Sequence, residues 1–326
     1  MTNAIRIART GGPEVMEWQS VEVGEPGPGE VVIDQRAVGL NYIDVYHRTG
    51  QYPLPLPFTP GLEGAGVIEA VGEGVTNFGV GDRVAYCGAI GGYAQRRLIT
   101  ADKLVALPDG IDFDTGAAAM LKGLTAHMLL RKVRRVEAGD TILVHAAAGG
   151  VGLFLCQWAA ALGCTVIGTV STAAKAELAR AHGCQHPIVT TDHDFVEQVA
   201  SITGGKKLPV VYDSVGRDTF MKSLDCLWKR GILASFGQSS GGVEPFSPGV
   251  LAAKGSLFLT RPTLFDYIAE RTEYDEAAAE LFGMIEAGRI KVEIGQRYTL
   301  ADAATAHRDL EARRTTGSTV LTVGAP

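Results

Sequence analysis

The clearest chemical signal in the sequence lies in the glycines near the middle of the chain. The apolar run TILVH leads into AAAGGVG at residues 146–152, and an apolar stretch of helical character follows. Set against the pattern GxGxxG, Ala147 takes the first position, Gly149 the second and Gly152 the third. These positions serve a tight turn, a close approach of the backbone to a pyrophosphate at the positive end of a helix, and packing of that helix on a strand. Because a strand precedes the turn and a helix follows it, the segment predicts a dinucleotide-binding site.

The end of the next apolar run indicates which dinucleotide binds. An NAD enzyme usually carries an acidic residue about 20 residues after the fingerprint, where it bonds the ribose 2′-OH. Here Val170 and Ser171 end the run TVIGTVS, no carboxylate is near, and Lys175 follows. The missing acid removes repulsion against a 2′-phosphate, and Ser171 and Lys175 supply donors for it. The pattern favours NADPH, although Lys175 could instead be a solvated helix lysine.

The sequence offers no set of metal ligands at the usual spacing. A structural zinc site needs about four thiolate, imidazole or carboxylate ligands, and a catalytic site about three. The 5 cysteines include no CxxC pair, and the 7 histidines are scattered along the chain. We therefore expect no metal, no disulfide framework, and reduced thiols in a cytoplasmic protein.

The composition indicates an ordinary globular chain. Its 326 residues are 46% hydrophobic and 20% charged, close to the usual values of about 45–50% and about 25%. A net charge of −6 without a polybasic run argues against nucleic acid as a partner. Residues 141–174 contain no Asp, Glu, Lys or Arg, but glycines divide them into strand, turn, helix and strand. We therefore expect no membrane insertion.

The elements that must position these residues are of two kinds. Between residues 31 and 99, short β-like runs alternate with glycine and proline turns, which predicts a compact, mostly antiparallel β domain. From about residue 114, apolar runs alternate with helical segments, which predicts βαβ units and a doubly wound parallel sheet. Two further helices, over 275–286 and 300–313, and a final strand, STVLTV, complete the chain. The pattern predicts an α/β fold in which the chain returns to its first domain.

Motifs spread over the whole chain resemble one family. They include GLNYIDVYHRTGQYP (39–53), PGLEGAGVIEAVGEGV (60–75), MLKGLTAHMLLRK (120–132), VVYDSVGRDTF (210–220) and SFGQSSG (235–241). With them the sequence resembles the zinc-independent medium-chain dehydrogenases/reductases, most closely the bacterial NADPH:quinone oxidoreductases related to zeta-crystallin. In zinc alcohol dehydrogenases the segment matching 60–64 carries a histidine ligand, where this chain has Leu62. A leucine side chain cannot bind zinc.

The resemblance also implies a domain organisation. It implies a GroES-like, mostly antiparallel β catalytic domain at residues 1–124 and 260–326, and a Rossmann NADPH-binding domain at residues 125–259. It further implies a homodimer joined through edge strands of the nucleotide domain, near residues 255–260.

The site residues follow from the same resemblance. The GLNYIDVY loop would lie beside the nicotinamide, so Asn41, Tyr46 and Tyr52 would act as the catalytic residues that line the acceptor cleft. Each of these three could instead be a packing or turn residue. The implied cofactor contacts are Asn41, Tyr46, Thr125 at the nicotinamide end, Gly149, Gly150, Val151 and Gly152 at the pyrophosphate, Ser171 and Lys175 at the 2′-phosphate, and Val215, Phe236, Gln238, Ser239 and Arg313. Val189 and Thr190 stand where relatives often carry an aromatic residue beside the adenine.

The predicted reaction is NADPH-dependent reduction of quinones by hydride transfer without a metal. With no metal to polarise a carbonyl, acceptors that take hydride easily are favoured. The alternative is reduction of the C=C bond of 2-alkenals, enones or enoyl thioesters, and a third hypothesis is a non-enzymatic nucleotide- or RNA-binding role. The two tyrosines, the Asn41 amide or water could each supply a hydrogen-bond donor, and the sequence names no essential acid.

Overall fold

The computed structural model describes residues 2–324, which form fifteen strands and ten α-helices. The strands are β1 (Thr2–Ile7), β2 (Met16–Val21), β3 (Glu30–Leu40), β4 (Glu63–Val71), β5 (Arg83–Cys87), β6 (Arg96–Thr100), β7 (Leu104–Ala106), β8 (Thr141–Val144), β9 (Thr165–Val170), β10 (His186–Val189), β11 (Leu208–Asp213), β12 (Leu227–Ser235), β13 (Phe258–Thr260), β14 (Ile294–Thr299) and β15 (Ser318–Thr322). The helices are α1 (Tyr42–Thr49), α2 (Phe113–His127), α3 (Gly150–Ala161), α4 (Ala173–Ala181), α5 (Phe195–Thr203), α6 (Phe220–Asp225), α7 (Gly249–Ala253), α8 (Leu264–Tyr267), α9 (Arg271–Glu286) and α10 (Ala303–Glu311). Short 3₁₀ turns cover Pro13–Val15, Ala101–Lys103 and Leu300–Asp302, and a wider π-helical turn covers Met128–Val133.

The chain divides into two compact units. The first contains the described residues up to Lys122, Ala278–Glu286 and those from Val292 onward, and the second contains Gly123–Ala277 and Ala287–Lys291. The bounds expected from the sequence differ from this division mainly between residues 260 and 277, which lie in the second unit. These residues follow β13, the last strand of the parallel sheet, and Glu273 forms an ion pair with Lys132 at 3.0 Å.

The first unit is mostly antiparallel. Its main sheet has the strand order β14-β15-β3-β4-β5-β7, β6 also pairs with β3, and β1 and β2 form a separate pair. All of these pairs are antiparallel except β14 with β15. The central strand β3 is buried over most of its length because it is covered by strands on both edges and by apolar side chains. β3 ends directly before Asn41, and β4 begins at Glu63, so the sheet brings these two residues to the same end.

The second unit is a doubly wound parallel sheet. Its strand order is β10-β9-β8-β11-β12-β13, and every pair is parallel. The order runs outward in opposite directions from β8 and β11, so the topological switch point lies between them. In such sheets ligands bind outside the carboxyl ends of the strands at that point. The predicted α/β fold, with one antiparallel unit and one parallel unit, is confirmed. No helix within residues 2–324 is long and apolar enough to cross a membrane.

Candidate active site

The predicted dinucleotide turn connects β8 to α3 at the switch point. Gly149 caps the helix from an extended conformation and provides no side-chain cap, and the first turn of α3 contains no acidic residue. The N–H groups that open a helix have no acceptor within it and carry partial positive charge. Gly150, Val151 and Gly152 therefore present donors that suit a pyrophosphate.

Gly152 allows this turn to pack closely. A Cβ added at Gly152 would collide with the carbonyl oxygen of Ala146 and would lie 2.8 Å from Cα of Ala147. Ala146 has a left-handed backbone conformation, with φ of 53°. It lies one residue before Ala147, which takes the first glycine position of the pattern GxGxxG. The shape of the turn fits the backbone approach that a dinucleotide requires.

Ser171 lies in the connection from β9 to α4, and Lys175 lies in the first turn of α4. Thr172 caps α4, because its Oγ1 accepts a hydrogen bond from the backbone N–H of Lys175 at 3.2 Å. The first turn of α4 contains no acidic residue. Thr190, which follows β10, bonds the carbonyl of Val170 through both its N–H and its hydroxyl. Its hydroxyl therefore lies beside the end of β9, a placement that the sequence does not indicate.

Two loops after β11 and β12 bring four predicted cofactor residues together. The N–H of Phe236 bonds the carbonyl of Asp213, and the N–H of Ser239 bonds the carbonyl of Ser214. All four residues are half-buried in these two loops: Val215, Phe236, Gln238 and Ser239.

The carboxylate of Asp213 stabilises the loop after β11 through hydrogen bonds. Its carboxylate is fully buried at the end of β11, and Oδ1 accepts the N–H groups of Val215 at 2.8 Å and Gly216 at 3.0 Å. Its Oδ2 accepts the hydroxyls of Thr219 and Ser223. His145, at the end of β8, contacts Ser223 Oγ at 2.9 Å, and burial lowers the pKa of its imidazole while Asp213 raises it. Because this serine, histidine and aspartate are buried and mutually bonded, they support the loop rather than act as a nucleophile.

In the first unit, Asn41 is fixed at the start of α1 by a capping box. Its backbone N–H donates to Oδ2 of Asp44 at 2.9 Å, and its side chain accepts the backbone N–H of Asp44. Its Nδ2 donates to Oε1 of Glu63 at 2.7 Å. Both ends of the Asn41 amide are therefore engaged, and one N–H of Nδ2 is directed at a carboxylate.

Glu63 accepts hydrogen bonds from two parts of the first unit, the start of α1 and the helix α2. It is fully buried, and besides the Asn41 amide it accepts Nζ of Lys122 at 2.7 Å and the backbone N–H of Leu121 at 2.6 Å. A Cβ at Gly39 would collide with its carboxylate, so β3 requires glycine there. We call Asn41, Glu63 and Lys122 the Glu63 cluster. The sequence prediction did not include Glu63 and Lys122. Each is the one charged residue in an otherwise uncharged motif, GLEGAG or MLKGLT, and this feature could have pointed to them.

The predicted tyrosines form one aromatic group on α1 and the loop after it. The rings of Tyr46 and Tyr52 have centroids 5.0 Å apart and meet edge to face, and the ring of Tyr42 lies 5.3 Å from that of Tyr46. Tyr42 was not predicted, and burial, followed by the charge of Glu311, raises the pKa of its phenol. Arg313 follows α10 in the first unit, exposed and with a left-handed φ of 58°, whereas Thr125 is buried on α2 in the second unit.

A buried hydrogen-bond chain runs from Asp44 to the end of α10. Tyr93 donates its hydroxyl to Oδ2 of Asp44 at 2.9 Å and contacts Nε2 of His307 at 3.2 Å. Arg48 lies 3.2 Å from Nδ1 of His307 and forms a two-pronged ion pair with Glu311. Since Arg48 can only donate, Nδ1 accepts and the neutral imidazole carries its proton on Nε2. Burial, together with Arg48, lowers the pKa of His307 to about 3, so the ring is neutral at neutral pH.

The buried carboxyl of Asp44 should make stability depend on pH. Burial raises its pKa to about 7, and Oδ1 has no hydrogen-bond partner within residues 2–324. Between about pH 4 and pH 7 the folded state keeps a proton that the unfolded state loses. The free energy of unfolding should therefore fall as pH rises through this range, by at most about 1.4 kcal/mol per pH unit.

Urea unfolding at several pH values checks this expectation against Asp44→Asn, which cannot ionise. The lowered pKa of His307 makes the free energy of unfolding rise with pH over part of the same range. Because His307 is present in both proteins, this contribution cancels in the comparison. Between pH 4 and pH 7, the free energy of unfolding of the parent minus that of the variant should fall as pH rises. Parallel pH profiles would show that Asp44 is ionised throughout.

Comparisons with known proteins agree with this architecture. Two family models match, the alcohol dehydrogenase GroES-like domain at residues 27–109 and the zinc-binding dehydrogenase at residues 150–282. The quinone oxidoreductase of Pseudomonas aeruginosa is 55% identical over 98% of this chain and 99% of its own. A 2-haloacrylate reductase from a Burkholderia species is 47% identical over 98% of this chain and 99% of its own.

Among solved structures, Escherichia coli quinone oxidoreductase complexed with NADPH superposes with a TM-score of 0.97. It is 48% identical, and the match covers 98% of this chain and 99% of that one. No group of three or more potential ligands within residues 2–324 is placed to hold a metal ion.

Proposed function

The chain belongs to the zinc-independent quinone oxidoreductases of the medium-chain dehydrogenase/reductase family, and we propose on that premise that it reduces quinones with NADPH. The observation that carries the proposal is the switch-point turn, in which the open start of α3 and the missing side chain of Gly152 leave room for a pyrophosphate. The relatives matched over nearly the whole chain support the same activity, because one is a quinone oxidoreductase and another was solved with NADPH.

The residues of the second unit suit NADPH. When bound, NADPH supplies a hydride from its nicotinamide ring. Gly149 to Gly152 would bind the pyrophosphate through backbone N–H groups, and Ser171 and Lys175 would bind the 2′-phosphate. Val215, held by Asp213, would contact the cofactor together with the other residues that the sequence predicts: Asn41, Tyr46, Thr125, Phe236, Gln238, Ser239 and Arg313.

The acceptor would contact Asn41, Tyr46 and Tyr52. Leu62 cannot supply a zinc ligand, so this site offers hydrogen-bond donors and aromatic faces rather than a Lewis acid. A quinone takes up hydride readily and needs only donors for the oxygen that becomes negative. The paired rings of Tyr46 and Tyr52 give a flat acceptor an aromatic surface.

An acceptor panel tests the proposal. NADPH oxidation would be followed with 1,4-naphthoquinone, phenanthrenequinone, a 2-alkenal, a crotonyl thioester and 2-chloroacrylate. We expect the highest kcat/KM with a quinone, and activity that survives metal chelation. The 2-haloacrylate reductase relative favours C=C reduction as the second candidate function. Turnover of 2-chloroacrylate or the alkenal without turnover of quinones would establish that candidate instead.

Lys175 should determine the preference for NADPH over NADH. Hydrogen bonds to charged groups contribute about 1.5–3 kcal/mol, and about 1.4 kcal/mol is a factor of ten. Lys175→Ala should therefore weaken NADPH binding by roughly ten- to a hundredfold and leave NADH binding nearly unchanged. The cap of α4 uses only the backbone N–H of residue 175, so the helix start should persist.

Fluorescence titration with both cofactors gives the measurement, and Lys206→Ala, at an exposed loop lysine, is the matched control. Equal losses for NADPH and NADH would mean that Lys175 acts through the stability of α4.

We further propose a homodimer that pairs β13 with its counterpart. β13 is the edge strand of the parallel sheet, and its Phe258 and Leu259 are 59% and 37% exposed. An exposed apolar edge of this kind is prone to pair with another strand. Light scattering should give twice the chain mass for the parent and a smaller value for Phe258→Lys. We also propose a cytoplasmic location, because all five cysteines are buried as free thiols.

A further inference from the structure

Lys122 has more hydrogen-bond donors than the fold uses. Its side chain is only 6% exposed, and its ammonium lies 2.7 Å from Oε1 of Glu63. Within the described part of the chain, residues 2–324, Glu63 is the one acceptor in hydrogen-bond range of this ammonium. An ammonium carries three N–H donors, so two of them have no acceptor among the described residues.

Such a group is costly to bury without partners. Polar groups in protein interiors are nearly always hydrogen-bonded, and an ammonium far more so than a neutral group. A buried ion pair could often be replaced by apolar side chains without loss of stability. The Glu63 cluster instead keeps a buried positive charge whose remaining donors suit an oxygen atom of a ligand.

A second donor lies close by. Nδ2 of Asn41 also lies 2.7 Å from Oε1 of Glu63, so the two nitrogens flank the same carboxylate oxygen. Nδ2 gives one of its two hydrogens to Glu63 and has another to offer. The capping box prevents the Asn41 amide from turning over, because its oxygen accepts the N–H of Asp44. The cluster therefore presents a charged and a neutral donor, both held in place by Glu63.

We propose that Lys122 is a further catalytic residue, whose ammonium donates a hydrogen bond to the quinone oxygen that becomes negative during reduction. The second donor to that oxygen is Nδ2 of Asn41, and Glu63 positions both. This inference rests on the proposed function and on the prediction that Asn41 lines the acceptor site. A charged donor bonds an oxyanion about twice as strongly as a neutral donor does.

The step balances without a proton from Lys122. The hydride that bound NADPH would supply forms an O–H bond at one carbonyl oxygen of the quinone, and the π pair of that C=O moves into the ring while the nicotinamide is left oxidised. As the ring becomes aromatic, the π bond of the other C=O breaks and its electron pair moves to the other oxygen, which is the one that Lys122 bonds. The product is a hydroquinone monoanion bonded to the Lys122 ammonium. A proton from water then completes the hydroquinone, and Lys122 keeps its three hydrogens.

The experiment compares four variants with the parent. Lys122→Met removes the ammonium, and Lys122→Arg keeps a positive charge. Because Lys122→Met leaves Glu63 buried without its partner and could fail to fold, the double variant Glu63→Gln/Lys122→Met removes the charge of both. Lys132→Met is the control, since that lysine pairs with Glu273 at the surface.

Two readouts are taken, and one needs no cofactor. The first is kcat with 1,4-naphthoquinone, alongside the NADPH dissociation constant and the melting temperature. The second is binding of 4-nitrophenolate without NADPH, followed by its absorbance, with nitrobenzene as the neutral probe. A folded Lys122→Met or double variant should lose about a hundredfold in kcat and roughly ten- to a hundredfold in phenolate affinity. NADPH and nitrobenzene affinities should change less than twofold, and Lys122→Arg should recover part of both losses.

The proposal is overturned if the folded double variant keeps kcat within threefold of the parent and binds 4-nitrophenolate equally well. The donors of Lys122 would then bond water only, and the pair would be structural. The proposed function fails separately, if none of the quinones tested serves the parent as an acceptor for NADPH oxidation. The phenolate measurement still decides the role of Lys122 in that case, because it uses neither NADPH nor turnover.

Discussion

Gly152→Val is expected to abolish NADPH binding while the first unit stays folded. An added Cβ meets the backbone of Ala146 and Ala147, which cannot yield as a flexible side chain can. The start of α3 must therefore move away from β8, and its N–H groups lose the pyrophosphate. Each hydrogen bond to a charged group is worth about 1.5–3 kcal/mol, so loss of two or more raises the dissociation constant at least about a hundredfold.

Nicotinamide fluorescence gives this measurement, with quinone reductase activity as the second readout. Gly283→Ala is the matched control. Gly283 lies within the helix α9, and a Cβ added there would have no atom within 4 Å beyond the backbone of its own helix. We expect the control to bind NADPH normally and to gain about 0.5–1 kcal/mol of stability. NADPH affinity within tenfold of the parent in Gly152→Val would show that this turn does not hold the pyrophosphate.

Arg48→Met is expected to destabilise the protein by about 3 kcal/mol, although Arg48 lies outside the predicted site. Arg48 is 1% exposed and donates to the carbonyl of Gly11, to His307 and to Glu311. A buried acceptor that loses its donor costs about 1–3 kcal/mol. His307 is fully buried and loses its donor in full, whereas Gly11 is half-buried and Glu311 is one-third exposed, so both recover part of the loss from water.

Urea denaturation of the parent and two variants tests this expectation. Arg96→Met is the control, because its ion pair with Glu69 has side chains that are 37% and 45% exposed. Exposed pairs contribute about 0–1 kcal/mol, so the control should differ little from the parent. If Arg48→Met is no less stable than Arg96→Met, the chain from Asp44 to Glu311 does not support the fold.

The sequence by itself determined the local parts of this protein. The strand, turn and helix around Gly149 to Gly152 depend on residues within about one turn of one another, and the structure forms them where the pattern predicts. The helix expected over 275–286 is α9, which begins four residues earlier at Arg271, and the final strand is β15. The missing acid after β9 is likewise a local property, and the α/β fold follows from the order of such segments.

Only the tertiary structure decided which distant residues meet. Lys122 and Glu63 are 59 residues apart, and Tyr93 and His307 are 214 apart, so no local pattern pairs them. Their contacts depend on the strand register that sets Glu63 beside Gly39, and on the packing of α10 that buries His307. A buried charge is stable only with its partner, and the partner is chosen by the three-dimensional path of the chain. For that reason Asn41 could be predicted as a site residue from its motif, whereas the carboxylate of Glu63 that it bonds and the ammonium of Lys122 on the same oxygen could not.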